Sequence, residues 1–309
     1  MTASSTLADR GGRADPAGVR EWRLPLPGGR ALILGARPLV MGVVNVTPDS
    51  FSDGGRHLEP AAASDHALRL LEEGADLLDL GAESTRPGGG IYGAGARPVS
   101  AEEERRRLIP VLRRLRRQTG APLSVDTRKA SVAREALDEG ADLVNDVSSL
   151  GDPEMAPLVA SRRAPIVLMH SRGELSSMQR GIQFRDVVGE VRQELEGALT
   201  AAVSRGISRE LILVDPGIGF GKTPAQNLTL LARLDALRAL DRPILIGASR
   251  KSFIGHLTGQ PAAERLAGSL AAAGWACLGG AQVLRVHDVA ETVRFLAVWT
   301  AIAAAGSGP

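Results

Sequence analysis

Acceptor side chains end three apolar stretches of this 309-residue chain. They are Asp126, Asn145 and Asp215, and each follows residues that are typical of a buried strand. A buried carboxylate needs donors, because an unpaired buried charge is costly. The N–H groups along one edge of a flat nitrogen heterocycle would supply them. These residues therefore predict a heterocycle-binding site at the ends of the strands that carry them.

Cationic side chains form a second set, in or beside loops that follow other apolar stretches. Such a cluster suits a di- or triphosphate, since arginine offers forked N–H donors to phosphate oxygens. A strand-end Asp or Asn often only caps the following helix, but capping does not select Lys, Arg and His. We therefore predict a phosphate-binding mouth above the heterocycle, formed by Arg86, Lys251, Arg285 and His287.

The segment VMGVVNVTPDSFSDGG, residues 40–55, has the pattern of one wall of such a site. Its apolar run stops at Asn45, and the residues that follow exclude a regular strand or helix. Phe51 then stands alone in a polar, glycine-bounded loop. On this segment alone, Asn45 could equally cap the strand and Phe51 could pack under the loop. The interpretation as a site therefore depends on the other strand ends.

A repeated pattern of strands and helices positions these side chains. Glu-Gly-Ala-Asp-Leu occurs at 73–77 and at 139–143, and each copy ends a helix and begins a strand. Ser100 and Glu103 form a predicted capping box before a further helix. The predicted strands are 39–44, 75–81, 122–126, 141–146, 165–170, 211–215, 243–248 and 281–287, and other predicted helices are 60–73, 130–139, 187–205, 228–240, 262–278 and 289–304.

Eight strand–helix units in about 270 residues match a closed α/β fold, the (β/α)8 TIM barrel, in number and size. The alternative is an open, doubly wound sheet, but no Gly-x-Gly-x-x-Gly follows the first strand. In the barrel, the carboxyl ends of all strands meet at one face, which would bring the two polar sets together. The predicted divisions are a disordered tail at 1–21, a short N-terminal hairpin at 22–38 and the barrel at 39–305.

The composition is that of an ordinary globular protein, with 44% apolar and 23% charged residues and a net charge of +2. We interpret the arginine clusters at 105–107 and 113–117 as one solvated helix face and expect no nucleic-acid partner. The single cysteine, Cys277, excludes an intramolecular disulfide and suits a reducing cytoplasm. We expect no membrane span and no signal peptide, because no apolar run of the required kind is present.

The segment DPGIGFGKT, residues 215–223, resembles a phosphate-binding P-loop but fails its fingerprint. That motif needs a glycine five positions before the glycine of Gly-Lys-Thr. Pro216 occupies this position and has no N–H to offer. We expect instead that the glycines let the backbone approach a flat ligand, with Phe220 packing on it.

Seven segments, taken together and in this order, resemble the dihydropteroate synthase family. The resemblance spans about residues 39–295. It implies a (β/α)8 barrel, usually a homodimer, that joins 4-aminobenzoate to 6-hydroxymethyl-7,8-dihydropterin diphosphate in folate synthesis. It also implies Mg²⁺ as cofactor and sulfonamides as imitators of the aminobenzoate. The segments are MGVVNVTPDSFSDGG (41–55), GAESTRPG (81–88), SVDT (124–127), VNDV (144–147), DPGIGFGK (215–222), GASRKSFIG (247–255) and LRVHDV (284–289).

The resemblance also implies roles for the matching positions. Asp126, Asn145 and Asp215 would hold the pterin edge, with Lys251 beside them. Asn45 would bind Mg²⁺ together with diphosphate oxygens. The implied catalytic residues are Asp126, Asp215, Lys251 and Arg86. The diphosphate would be held by Arg86, Arg285 and His287, and the aminobenzoate pocket would be shaped by Phe51, Thr85, Pro87, Phe220 and Ser249.

Two other functions stay open on this sequence. A pterin-binding module of corrinoid-dependent methyl transfer would share the acceptor side chains that bind the pterin. It would not need cations that bind a diphosphate. A non-catalytic relative that serves another protein would not need intact strand ends. For a dimer contact, the apolar segment 295–299 is a candidate, although it could instead pack on its own barrel.

Overall fold

The computed structural model describes residues 21–35, 37–46, 60–84, 99–173 and 178–306. Most of the predicted site residues lie within these ranges. Four of them, Phe51, Thr85, Arg86 and Pro87, lie outside, as do residues 1–20 of the predicted tail.

The strands in the described ranges form two sheets. In the small sheet, β1 (Trp22–Pro25) pairs antiparallel with β2 (Ala31–Leu34), which confirms the predicted hairpin. The large sheet contains eight parallel strands. They are β3 (Leu39–Asn45), β4 (Leu77–Gly81), β5 (Leu123–Asp126), β6 (Leu143–Asp146), β7 (Ile166–Met169), β8 (Ile212–Asp215), β9 (Leu245–Ile246) and β10 (Val283–Val286).

The two ends of the large sheet meet, so the predicted (β/α)8 barrel is confirmed and the open doubly wound sheet is wrong. The strand order is β8-β7-β6-β5-β4-β3-β10-β9. Val214 of β8 pairs in parallel with Ile244, the residue before β9. The Val214 N–H also donates to the Pro243 carbonyl at 3.0 Å. The strands are almost wholly buried, as expected for parallel strands with helices on one face and a packed interior on the other.

Side chains alternate along each barrel strand and form two apolar clusters. Val40 of β3 and Leu78 of β4 belong to the cluster between the strands and the helices. Met41 and Leu77, one position along, belong to the cluster inside the barrel. The barrel strands contribute eight inward residues to this second cluster, namely Leu39, Met41, Leu77, Leu143, Val167, Leu213, Leu245 and Val283.

The hairpin covers the end of the barrel where the strands begin. Its Leu24 and Leu32 join the inward cluster. Arg30 forms an ion pair with the buried Asp142, which also accepts the Leu123 N–H at 2.9 Å. This packing leaves the opposite end, where the strands finish, for a site. Because the hairpin packs directly on the barrel, the division drawn between residues 38 and 39 stays a prediction.

Helices surround the barrel. Among the described residues, no helix is long and apolar enough to cross a membrane. The predicted helix at 228–240 is divided, since an α-helix ends at Ala232 and a 3-10 helix covers Leu234–Leu240. The helices are α1 (Pro60–Glu72), α2 (Ala101–Arg116), α3 (Ala130–Asp138), α4 (Met155–Arg162), α5 (Val187–Ser204), α6 (Pro224–Ala232), α7 (Ser252–Thr258), α8 (Leu266–Gly279) and α9 (Val289–Ala305).

The caps of two helices differ from the sequence prediction. Ser100 caps α2, because its hydroxyl accepts the Glu103 N–H at 3.1 Å. The Glu103 carboxylate does not complete the predicted box, since it accepts from Arg107 at 2.7 Å instead. The complete capping box opens α6, where Thr223 and Gln226 each accept the other's main-chain N–H. Charge pairing along α2 therefore outcompetes the weaker return bond of the predicted box.

Candidate active site

On five of the eight barrel strands, a polar side chain occupies an inward position toward the carboxyl end. Because strand side chains alternate, a residue two places beyond an inward apolar residue points into the same interior. Asp79 stands in this relation to Leu77, and Asn145 to Leu143. We call this layer the acceptor floor, although it includes one cation; its members are Asp79, Asp126, Asn145, Asp215 and Arg285.

Arg285 bridges two carboxylates of the acceptor floor. Its Nε donates to Asp79 Oδ2 at 2.6 Å, and its Nη2 donates to Asp126 Oδ2 at 2.9 Å. From the sequence, Arg285 is expected only at the cationic mouth above the acceptors. The structure corrects this placement, because buried carboxylates need a cation within their own layer. The pKa of Arg285 is raised, since these two carboxylates outweigh the opposing effect of burial.

Asp79 is a residue of the site that the sequence analysis missed. It is fully buried, and its Oδ2 accepts from both Arg285 and the Asn145 amide, the latter at 3.0 Å. The sequence predicts a strand at 75–81 but assigns Asp79 no role. The signal was available, because one acidic residue inside an apolar strand must face a partner in the interior.

Two carboxylates of the floor titrate far from their usual range. Burial raises the pKa of Asp126 to about 7, although Arg285 opposes the shift. Burial also raises the pKa of Asp215 to about 6, against the Gly217 N–H and the charge of Lys251. The atoms Asp79 Oδ1 and Asp126 Oδ1 are buried and lack a hydrogen-bond partner among the described residues. The acceptor floor thus has more hydrogen-bond acceptors than its own donors can satisfy.

Lys251 lies over the Phe220 ring, with its Nζ 4.1 Å from the ring centroid. Burial and the charge of Arg285 lower the pKa of Lys251 to about 8, while Asp215 and Asp126 oppose the shift. Loops after β8 and β9 therefore bring a cation and an aromatic ring together beside the acceptor floor. Cation–π contact of this kind holds both groups in place.

The His287 ring is neutral, whereas the sequence predicted a cation. Burial, and then the charges of Arg285, Arg250 and Lys251, lower its pKa to about 3. Ser249 Oγ accepts the His287 main-chain N–H at 3.2 Å and lies 3.1 Å from Nδ1 of the ring. In the tautomer whose Nδ1 accepts the serine proton, the ring carries its own proton on Nε2.

Two further strand-end residues have structural partners. Asp146 faces away from the interior and caps its own loop, since it accepts the main-chain N–H groups of Ser148 at 2.8 Å and Leu150 at 2.7 Å. His170 contacts Glu194 and the fully buried Lys222. Both residues end predicted strands, at 141–146 and 165–170, and the sequence predicts no role for either.

Asn45 is the only predicted metal ligand, and it lies exposed at the end of β3. Its amide oxygen is a hard donor, which suits Mg²⁺. The described residues contain no group of three or more His, Cys, Asp or Glu side chains that could hold a metal ion. A cation here would therefore need most of its ligands from a substrate and water.

A family model described as "Pterin binding enzyme" matches residues 41–287 of this chain. The dihydropteroate synthase of Synechocystis sp. is 45% identical over 268 residues, which cover 86% of this chain and 90% of that relative. The dihydropteroate synthase of Escherichia coli strain K12 is 43% identical over 263 residues, which cover 85% of this chain and 91% of that relative.

Solved structures share this barrel. The Xanthomonas albilineans dihydropteroate synthase with 4-aminobenzoic acid has a TM-score of 0.85 and 50% identity, covering 94% of this chain and 100% of its own. The same enzyme in complex with 7,8-dihydropteroate has a TM-score of 0.81 and 48% identity, covering 93% and 100%. The Yersinia pestis enzyme with a sulfonamide drug has a TM-score of 0.84 and 42% identity, covering 91% and 99%.

Proposed function

This chain belongs to the dihydropteroate synthase family of pterin-binding enzymes, and we propose how its barrel performs the transferase reaction of that family. The reaction joins 4-aminobenzoate to 6-hydroxymethyl-7,8-dihydropterin diphosphate and gives 7,8-dihydropteroate and diphosphate. We assign the pterin to the acceptor floor and the diphosphate to the cations around it. We also propose a cytoplasmic location, which the lone thiol of Cys277 favours.

The observation that supports the pterin assignment is the surplus of acceptors at Asp126. Its Oδ2 accepts from Arg285, while its buried Oδ1 has no donor among the described residues. The N–H edge of a pterin offers donors to this oxygen and to Asp215. Hydrogen bonds to a carboxylate favour its charged form, so pterin binding lowers the pKa values of both groups and releases protons near neutral pH.

Departure of the diphosphate moves negative charge onto its oxygens and positive charge onto the pterin methylene. Arg285 uses two of its five N–H groups on Asp79 and Asp126, which leaves three for the leaving group. Lys251 and, in its Nε2–H tautomer, His287 add donors, and Arg86 stays a prediction outside the described residues. Asp126 and Asp215 stabilise the cationic methylene until the arylamine attacks it.

No protein nucleophile is needed in this scheme. Burial raises the pKa of Cys277 to about 12, so its thiol is inert at neutral pH.

Phe220 and Ser249 lie within the described residues and line the side that we propose for 4-aminobenzoate. Phe51, Thr85 and Pro87 stay predictions for the same pocket.

We propose Mg²⁺ as the cofactor, with Asn45 as its protein ligand. Mg²⁺ commonly takes one or two protein oxygens and completes its shell with substrate phosphates and water, so a single exposed amide oxygen fits. Bound there, the ion would supply positive charge for the diphosphate. The residues of the chain then have to orient the pterin, which the acceptor floor does.

We also propose a homodimer that forms through α8 and α9, two helices that pack on each other. Their outer faces carry Trp275, Val298 and Ile302, each more than half exposed. Only part of the predicted segment 295–299 faces outward, because Leu296 is buried. We expect Val298→Glu to sediment as a monomer, whereas Val203→Glu, at an exposed apolar position of α5, stays dimeric. A monomeric parent protein would rule out the dimer.

Equilibrium binding tests the function against corrinoid-dependent methyl transfer. The cations Lys251 and Arg285 favour a substrate that carries a diphosphate. We expect the pterin diphosphate with Mg²⁺ to bind far more tightly than methyltetrahydrofolate in calorimetric titrations. Asp126→Asn should weaken binding of the pterin diphosphate by about 10-fold or more, because one charge-assisted hydrogen bond is lost. Comparable affinity for the two pterins would instead favour methyl transfer.

A further inference from the structure

Lysine is rare in this chain, and the three lysines all follow barrel strands. Lysine and arginine together number 37, and only Lys129, Lys222 and Lys251 are lysines. They come after β5, β8 and β9 respectively, which places them at the end of the barrel that holds the site. Arginine supplies the cations elsewhere, so these positions select a compact ammonium with three tetrahedral donors.

Lys222 is fully buried, and acceptors surround its ammonium. Nζ donates to the carbonyls of Phe220 at 2.9 Å and Gly217 at 3.1 Å. It also lies 2.9 Å from Nδ1 of His170, whose Nε2 is 3.0 Å from a Glu194 carboxylate oxygen. Glu194 thus receives the proton of Nε2, which leaves Nδ1 free to accept from Lys222. Each of the three N–H groups of the ammonium therefore has a close acceptor.

The turn 216–221 wraps around this ammonium and is pressed against the end of β7. Gly217 has φ of +67°, and a Cβ there would lie 1.9 Å from the His170 carbonyl oxygen. The Gly217 N–H donates to Asp215 Oδ1 at 2.7 Å, and the Phe220 N–H donates to the Gly217 carbonyl at 3.0 Å. The turn therefore connects Lys222 to one residue of the acceptor floor and to the Phe220 ring under Lys251.

We propose that Lys222 is a positioning residue of the pterin pocket, whose ammonium holds the turn that sets the Phe220 ring under Lys251 and orients Asp215. Lys222 touches neither substrate, since its nitrogen is enclosed by its own loop and His170. This role rests on the proposed function, because Lys251, which the Phe220 ring supports, acts on the pterin only if the pocket binds it. It also gives a use to the Gly-Lys-Thr segment, which is not a phosphate loop.

A double-mutant cycle with Phe220 tests this role. Lys222→Met removes the donors and keeps the length of the side chain. We expect kcat/KM for the pterin diphosphate to fall about 30-fold, as for a misplaced binding group. If Lys222 acts through Phe220, the double variant with Phe220→Leu should be little worse than Lys222→Met alone. Independent, multiplicative losses would overturn the proposal.

Arg242→Met is the matched control. Arg242 is also buried and donates to main-chain carbonyls, those of Asp241 and Arg209, but it lies before β9 at the opposite end of the barrel. It should lower stability without changing kcat/KM. Equal kinetic losses in both variants would show a general effect of removing a buried cation and would overturn the proposal.

Two further measurements apply if Lys222→Met does not fold. Lys222→Gln keeps two N–H donors. Its kcat/KM should therefore fall by less than the about 30-fold expected for Lys222→Met. In the parent protein, ¹⁵N-lysine labelling gives three side-chain signals, and the most slowly exchanging one, from Lys222, should shift when the pterin diphosphate binds. An unchanged signal would overturn the proposal. An inactive parent protein would instead refute the proposed function.

Discussion

Asp215→Asn is expected to lose about 10²–10³-fold in turnover and still to unfold at a higher temperature than the parent protein at pH 8. The loss arises because asparagine cannot offer a charged acceptor to the pterin or stabilise the cationic methylene. The amide oxygen still accepts the Gly217 N–H, so the turn that follows β8 keeps its hydrogen bond. The variant therefore separates the chemistry of the carboxylate from its role in the fold.

The gain in stability follows from the raised pKa of Asp215. Burial moves this pKa from 3.8 to about 6, so the folded state holds a proton more tightly than the unfolded state does. The stabilising contribution is present below pH 3.8 and is lost as pH rises through about 6. Above pH 6 the buried charge costs up to about 3 kcal/mol, and asparagine removes this cost.

Thermal unfolding at several pH values measures this effect. The variant should be more stable than the parent protein at pH 8, and the difference should shrink toward pH 4. Asp235→Asn, at an exposed position, provides the control and should change neither turnover nor this pH dependence. A variant that is less stable at pH 8 and equally active would contradict both roles of Asp215.

Arg285→Leu is expected to abolish turnover and to lower the free energy of unfolding by about 3–5 kcal/mol at pH 8. The guanidinium contacts Asp79 and Asp126, and leucine leaves both carboxylates buried without a cation. Losing this charge raises the pKa of Asp126 further. The destabilisation should therefore be largest at pH 8 and smaller at pH 5, where the carboxyl takes up a proton.

Urea unfolding at the two pH values checks this prediction. Asp79→Asn combined with Arg285→Leu should recover part of the stability but no activity, since one buried charge is removed and the leaving-group donors stay absent. The control is Arg113→Leu, which breaks a more exposed pair with Glu139 and should change the stability little. A pH-independent loss in Arg285→Leu would mean that the carboxylates are not the cause.

The sequence was sufficient for the barrel because its signals are local and repeated. Each strand–helix unit carries its own apolar run, and the polar ends of the runs stand out. The short helices α4 and α7 were not predicted from the sequence, because α4 has eight residues with Pro157 in its first turn and α7 has only seven. Patterns of that length do not differ clearly from loops.

The partners of the site residues could not be predicted in the same way. Arg285 and Asp79 are 206 positions apart, and nothing local indicates that they pair. The neutral state of His287 depends on three cations and on burial, which only the folded chain brings together. Lys222 was visible only as part of a failed motif, although its burial decides what it does. Asp79 could have been predicted as a site residue, because side chains alternate along its own strand.

Release of diphosphate in a single turnover tests the central claim most directly. The purified protein is mixed with 6-hydroxymethyl-7,8-dihydropterin diphosphate and Mg²⁺, with and without 4-aminobenzoate, and both diphosphate and dihydropteroate are quantified. We predict that both products form together in equal amounts when 4-aminobenzoate is present, and that Asp215→Asn forms neither at a comparable rate. Absence of both products from the parent protein, or undiminished turnover in Asp215→Asn, would contradict the account.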